Sequence, residues 1–308
     1  MARVLNSFLL LAFTVLPNSV IHATQAPNEM TKQYPIEIKR QPLTRLNFSS
    51  AMSTTAWELA GLTAGITYLG AQSWDWGSSS FNMNSEGWFG METGSGGADK
   101  VGHLYTTYLM SEWLTYKLEQ SSNQTNESAL YGSLFGWGLF LYIEIFDGYS
   151  DDHGFSTEDL IMNSIGSGFS YLKNTQPWLK DKIDLRVEYL PSAGMKGIHP
   201  MTDYSGYKYL AVLKPSGFKS LNNSILKYFE FQLGYYTRGF KEEDAPYFDK
   251  RVSTVYTAVS INLSELIFKN IHHKHHKTTQ PIDSFFKYYQ MPGIYADQDS
   301  YQRQADSK

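Results

Sequence analysis

A chain of 308 residues with a formal net charge of −4 has no basic excess, which gives no reason to expect a nucleic-acid partner. It contains no cysteine, so disulfides, thiolate chemistry and a lipid-modified N-terminal cysteine are excluded. Aromatic residues make up 15 % of the chain, which fits either a large aromatic core or contact with a membrane interface.

Residues 1–26 have the three parts of a cleavable secretory signal. Arg3 supplies the positive start, and Phe8 to Leu16 is an apolar run shorter than the roughly 20 residues that span a bilayer. Pro17 breaks the run, and Ala23 and Ala26 offer cleavage points. Removing this segment takes away Arg3 and no acid, so the charge becomes −4 − 1 = −5. The mature protein is expected in a bacterial envelope, in the periplasm.

Residues 27–53 are polar and proline-containing and read as an extended lead-in. Residues 54–180 read as a helical domain. Thr54 to Ala71 predicts a helix with Thr54 or Thr55 as its cap. The Gly/Ser/aromatic stretch 73–98 predicts a loop pinned by Trp74, Trp76 and Trp88. A helix follows from Asp99 to about Leu118, with Asp99 placed to cap it. Ser128 to Ile143 is a second helical stretch of 16 uncharged residues, a length that suits a buried or interfacial helix better than a membrane span. After a Gly/Ser/Asp loop, Ser156 and Asp159 form a capping-box pattern opening a helix that ends before Pro177.

Beyond Lys180 the period changes to two. Leu185, Val187 and Tyr189 alternate with Arg186 and Glu188; Phe229, Phe231, Leu233 and Tyr235 alternate with Glu230 and Gln232; Val255 to Leu263 alternates likewise, and Tyr207 to Val212 is a fourth strand. Such alternation predicts one buried and one wetter face. The region 181–270 is therefore expected to be an antiparallel sheet, and 271–308 an irregular tail. The fold class is α+β: an N-terminal bundle of about four helices followed by a C-terminal antiparallel β-sheet. Four strands fall short of the eight or so that close a membrane barrel.

The chemistry-bearing residues cluster between Asp99 and Gly166. His103 lies four residues after Asp99, on the same helix face, and Lys100 can meet a carboxylate from another element. Glu144 follows the uncharged run, and a buried carboxylate without a partner costs several kcal/mol. Asp147 shares its face. Asp159 and Asn163 share a face of the third helix, with Gly166 allowing a close helix approach. If the three helices pack as neighbours, Lys100, His103, Glu144, Asp147, Asp159 and Asn163 converge. Such a set suits acid/base chemistry or a divalent metal. It equally suits a buried network that fixes helix packing. Whether a metal or other cofactor is bound is left open. The histidines of His272-His273-Lys274-His275-His276 read as a solvated tract that could also take a metal. A Gly-rich phosphate loop, a Gly-x-Ser-x-Gly elbow and a His-Glu-x-x-His motif are all missing from the sequence.

Asp99-Lys100-x-x-His103 with Tyr108, then Glu144-x-x-Asp147-Gly148-x-Ser150, then Gly154-Phe155-Ser156-x-x-Asp159-x-x-x-Asn163-x-x-Gly166, resembles the YfiM-like family of predicted periplasmic proteins, a domain of unknown function. The Asp-Lys-x-x-His and Asp-x-x-x-Asn-x-x-Gly layout is also distantly similar to VanZ-like membrane proteins. Asp203-Tyr204-Ser205-Gly206 and Ile261-Asn262-Leu263 resemble the C-terminal half of longer YfiM-like members. The resemblance implies a periplasmic location and these site residues, without an activity; the lipid anchor of relatives has no cysteine here. The expected function is hydrolysis of an envelope lipid, phosphate or glycan bond at the polar cluster. The alternative is a non-catalytic scaffold or membrane-associated binding protein, with peripheral membrane contact and no nucleic-acid partner.

Overall fold

The computed structural model describes residues 45–195, 200–268 and 284–306. The signal segment and the His272–His276 tract lie outside them.

Five helices come first: α1 (Phe48–Thr54), α2 (Ala56–Ser73), α3 (Ala98–Glu119), α4 (Thr125–Asp147) and α5 (Thr157–Thr175). Helix α1 occupies the end of what the sequence suggested was an extended lead-in. Asn47 caps it, its side chain accepting from the Ser50 N–H at 2.9 Å while Ser50 Oγ accepts from the Asn47 N–H. This reciprocal cap satisfies two of the free donors at a helix start. Thr55 separates α1 from α2 without a capping side-chain bond. Trp74 and Trp76 pack into the core that joins α1–α4, whereas Trp88 is exposed, so two tryptophans and not three pin the following loop.

Helix α3 is central and packs on both α4 and α5, which also pack on each other. Glycines set the approach. A Cβ on Gly166 would lie 2.1 Å from the Leu104 carbonyl oxygen, so only glycine lets α5 come this close to α3. Gly132 and Gly136 of α4 face Thr115 and Ser111 of α3 in the same manner.

The C-terminal half is one antiparallel sheet in the order β1 (Ile183–Tyr189), β2 (Tyr207–Leu213), β3 (Phe229–Arg238), β4 (Lys250–Ile261), β5 (Tyr295–Asp306). The four expected strands are present, and the fifth replaces the irregular tail. Strand β5 is polar throughout, YADQDSYQRQAD, so it carries no apolar alternation to betray it. It is held by main-chain pairing along the whole edge of β4. Val187 and Tyr209 pack on Ala98, Tyr105 and Tyr108 of α3, which fixes the first two strands against the helices.

By register Val187, Tyr209, Leu233, Phe231 and Val259 share one apolar face, which the helices cover at Val187 and Tyr209 and leave exposed at Phe231, Leu233 and Val259. On the other face Glu230, Gln232 and Ser260 are buried together with Leu210, Val212, Tyr256 and Ala258. The sheet curls so strongly that Lys208 of β2 donates to Tyr295 OH of β5 at 2.8 Å. Polar side chains fill the concavity together with the apolar Leu210, Val212, Tyr256 and Ala258. Arg186 makes a paired contact with Glu230 at 2.7 and 2.8 Å.

Candidate functional site: a lysine and histidine among carboxylates

The cluster forms at the N-terminal half of α3. Gly97, with φ of +92°, holds the capping position. Asp99 is therefore inside the first turn and does not cap the helix. Its carboxylate instead accepts from Lys100 Nζ at 3.1 Å and from Tyr204 OH at 2.9 Å. On α5, Ser156 does cap, accepting from the Asp159 N–H at 3.3 Å. The Asp159 carboxylate turns to Lys100, both oxygens accepting from Nζ at 2.8 Å. Glu86, from the loop before α3, accepts from the same ammonium at 2.7 Å. Lys100 is fully buried, so its charge is stabilised by these anions rather than by water. Burial alone would lower its pKa, but Asp99, Asp159 and Glu86 outweigh that and raise it.

His103 stands one turn further along. Its Nδ1 is 3.2 Å from Asn163 Oδ1 and 3.3 Å from Glu144 Oε1. Asn163 is fully buried and bonded in three directions. Its Nδ2 donates to Glu144 Oε1 at 3.0 Å, and its Oδ1 accepts from Thr107 Oγ1 at 2.8 Å as well as facing His103. His103 Nε2 lies 3.8 Å from both Asp99 Oδ1 and Asp159 Oδ1, beyond hydrogen-bonding distance. The imidazole is 22 % exposed.

Environment separates the proton affinities. Burial opposes ionisation of Asp99, but His103, Lys100 and the Tyr204 hydroxyl outweigh it and lower its pKa to about 2. Burial would lower the His103 pKa, yet Asp99, Asp159 and Glu144 raise it to about 9. Glu144 is dominated by its own burial, which raises it to about 8 despite the attraction of His103. Burial also raises Asp147, against the donating Trp76 indole. The cluster thus favours the ionised form of Asp99, the cationic form of His103 and the neutral form of Glu144.

Of the residues singled out from sequence, Lys100, His103, Glu144, Asp159 and Asn163 come together. Asp147 sits at the same end of α4 but accepts from the Trp76 indole N–H at 2.6 Å. Its backbone carbonyl accepts from the Ser150 and Gly154 amides, so this part of the motif shapes a turn. Three members were not read from the sequence: Glu86, Thr107 and Tyr204. Glu86 lies in a loop with no periodicity. Tyr204 had a signal, since it lies in the Asp203-Tyr204-Ser205-Gly206 stretch.

Asp99, His103 and Asp159 can bring one ligand atom each within 4.8 Å of one another, a spacing open to a divalent ion. Lys100 already places a positive charge on two of these three groups. A metal there has to displace or neutralise the ammonium.

Tyr108, the other residue of the α3 motif, belongs to a second buried group. Lys173 Nζ donates to Tyr108 OH at 2.6 Å and pairs with Asp184 at 2.7 Å and Glu112 at 3.3 Å. Asp184 is held well below the ordinary carboxylate range, its burial outweighed by Lys173 and Lys214. This group ties α3 and α5 to β1 and is closed to solvent, which marks it as a fastening.

Residues 85–175 match the family described as Predicted periplasmic lipoprotein (DUF2279). The match begins one residue before Glu86 and ends with α5, so it contains the whole cluster except Tyr204. No curated protein matches the chain, and no solved structure does. The description agrees with an exported, periplasmic protein of the envelope. Its word lipoprotein has no cysteine to rest on within these 308 residues.

Proposed function

We propose that this envelope protein carries out acid/base chemistry at His103, hydrolysing a lipid, phosphate or glycan bond of the envelope. One observation carries the reading: His103 is held on its Nδ1 side by buried Glu144 and Asn163, while its Nε2 makes no hydrogen bond among the described residues and the side chain is 22 % exposed. A histidine fixed at one nitrogen and free at the other is the arrangement that acid/base transfer requires. The separated proton affinities support it, since neighbouring groups pushed apart in pKa divide into proton carriers and fixed charges. In this reading water adds to the centre whose bond breaks while the His103 cation donates its Nε2 proton to the leaving group, and the proton released by that water returns to Nε2. Asp99 and Asp159 stabilise the imidazolium, and Lys100 fixes the carboxylates around it. Glu144 and Asn163 orient the ring. The finer kinship, to YfiM-like and VanZ-like proteins, rests on the motif residues and adds no activity.

A second reading has its own observation. Lys100 bridges α3, α5 and the loop bearing Glu86, while Asp99 reaches Tyr204, so the same residues serve a scaffold by locking elements together. His103→Ala and His103→Gln separate the two, since neither side chain can transfer the proton. Both variants are purified, melted and tested for complementation of the cell-envelope phenotype of a deletion strain. Retained melting temperature with lost complementation supports the acid/base site. Loss of stability that accounts for the whole phenotype sinks it.

A further inference from the structure

The apolar face that packs on the helices at Val187 and Tyr209 runs on, uncovered, across β3 and β4. In register, Leu213 pairs with Phe231 and Phe231 with Val259, while Phe229 pairs with Ile261. Registered partners share a sheet face, as do residues two apart on a strand. Together with Leu233 these residues therefore form one contiguous patch, each between 37 % and 55 % exposed. The opposite face of the same strands is buried and holds polar groups beside the apolar Tyr256 and Ala258, with Glu230 on Arg186 and Gln232 donating to Ser260 and Gln290. A water-facing sheet turns its polar residues outward. Polar-in and apolar-out is the alternation of strands that face hydrocarbon.

This sheet does not span a bilayer. Its order leaves β1 and β5 as edges among the described residues, and open edges are not tolerated in hydrocarbon. The patch suits shallow contact instead, and the charge beside it indicates with what. Because the strands are antiparallel, segments 177–182, 214–228 and 262–268 all lie at one end of the sheet, next to the patch. They carry Lys180, Lys182, Lys219 and Lys227 against two acids, Asp181 and Glu265, while Lys214 is paired with the buried Asp184. Exposed Trp178, Ile225 and Leu226 lie among these lysines. Cations mixed with exposed tryptophan and aliphatic side chains match an anionic membrane interface. A second copy of this chain would set lysines against lysines, which disfavours self-association through the same end.

We propose that the outward face of β3 and β4 and the adjoining lysine-bearing end dock the protein on an anionic phospholipid surface. The apolar side chains enter among the acyl chains, and the lysines meet the phosphates. This docking does not depend on the chemistry at His103.

The experiment is vesicle flotation of the purified full chain. Vesicles of phosphatidylethanolamine with phosphatidylglycerol are compared with vesicles of phosphatidylcholine alone. The protein is expected to float with the anionic vesicles, to be released by high salt, and to stay behind with phosphatidylcholine. Phe231→Gln with Leu233→Gln should lower the bound fraction about tenfold or more through lost apolar burial. Lys219→Glu with Lys227→Glu should do so by a similar factor, about tenfold, through repulsion. Both variants should melt like the parent, since they alter exposed positions and a surface loop. If the apolar variant unfolds, the lysine variant decides. Failure of the parent chain to float overturns the proposal, as does equal flotation of parent and lysine variant. A dimer in sedimentation that Leu233→Gln dissociates, with no flotation, overturns it in favour of a second copy on this face.

Discussion

Asn163 and Glu144 are joined by a 3.0 Å hydrogen bond between two buried side chains on neighbouring helices, and His103 faces both. Asn163 is the hub, because its amide donates to Glu144 while its carbonyl oxygen accepts from Thr107. Asn163→Leu keeps the approximate volume and removes every one of these bonds. Thr107 and Glu144 are then left without their partner, at about 1–3 kcal/mol for an unsatisfied buried group. The expected outcome is a destabilisation of that size in urea unfolding. It should be accompanied by altered chemical shifts of the His103 imidazole, which a defect confined to packing elsewhere would not produce.

Two glycines of one helix should respond with opposite signs. In α5, a methyl group on Gly166 would meet the Leu104 carbonyl oxygen at 2.1 Å, while nothing lies within 4 Å of the corresponding position on Gly168. Alanine is favoured over glycine in a helix interior by up to about 1 kcal/mol. Gly168→Ala should therefore raise the melting temperature. Gly166→Ala should lower it, since forcing the helices apart costs about 1–3 kcal/mol or more. Parallel thermal melts of the two variants check this, and equal responses would contradict the close contact of α3 and α5.

Much of this site was readable in the sequence because helical geometry is local. The i, i+4 spacing of Asp99 and His103 and of Asp159 and Asn163 fixes shared faces, and an acid after sixteen uncharged residues demands a partner. The partners themselves were less legible. Glu86 and Tyr204 arrive from loops, whose course no periodicity encodes. Asp99 resembled a cap, but Gly97 takes that position and frees its carboxylate for Lys100. In the sheet, the period of two located four strands and not their orientation. Alternation states that two faces differ, while curling of the sheet buries the more polar face and the helices cover only part of the apolar one. The fifth strand lacked alternation altogether and depends on the edge of β4.

Lys100 should be among the most costly residues to neutralise. Its ammonium is surrounded by Glu86, Asp99 and Asp159. Lys100→Met keeps the chain length and leaves the carboxylates facing one another without a cation. Breaking a buried pair by removing one partner typically costs about 3–5 kcal/mol. Urea unfolding should show a loss in that range, and adding Asp159→Asn to Lys100→Met should recover part of it. A double variant no more stable than the single one would mean that the carboxylates are relieved in another way.

The pH dependence of stability follows from the same cluster. His103 is raised to about 9, so its contribution is complete below the ordinary histidine value of about 6.5 and is lost as pH rises through 9. Glu144 is raised to about 8; the folded state prefers its neutral form, so ionisation costs stability as pH climbs from the ordinary glutamate range toward 8. The two effects have the same sign. Asp99, lowered to about 2, acts oppositely, and its contribution disappears only as pH falls through that value. The melting temperature should therefore decline from pH 5 to pH 9, which calorimetry at closely spaced pH values will reveal. Glu144→Gln imitates the neutral acid and should flatten the part of the decline below pH 8. In NMR titration of the same protein, His103 should deprotonate near pH 9, and Asp99→Asn should shift that midpoint downward by removing the largest attraction on the imidazolium. A His103 midpoint near its ordinary value in the parent would mean that the carboxylates do not surround the ring as described.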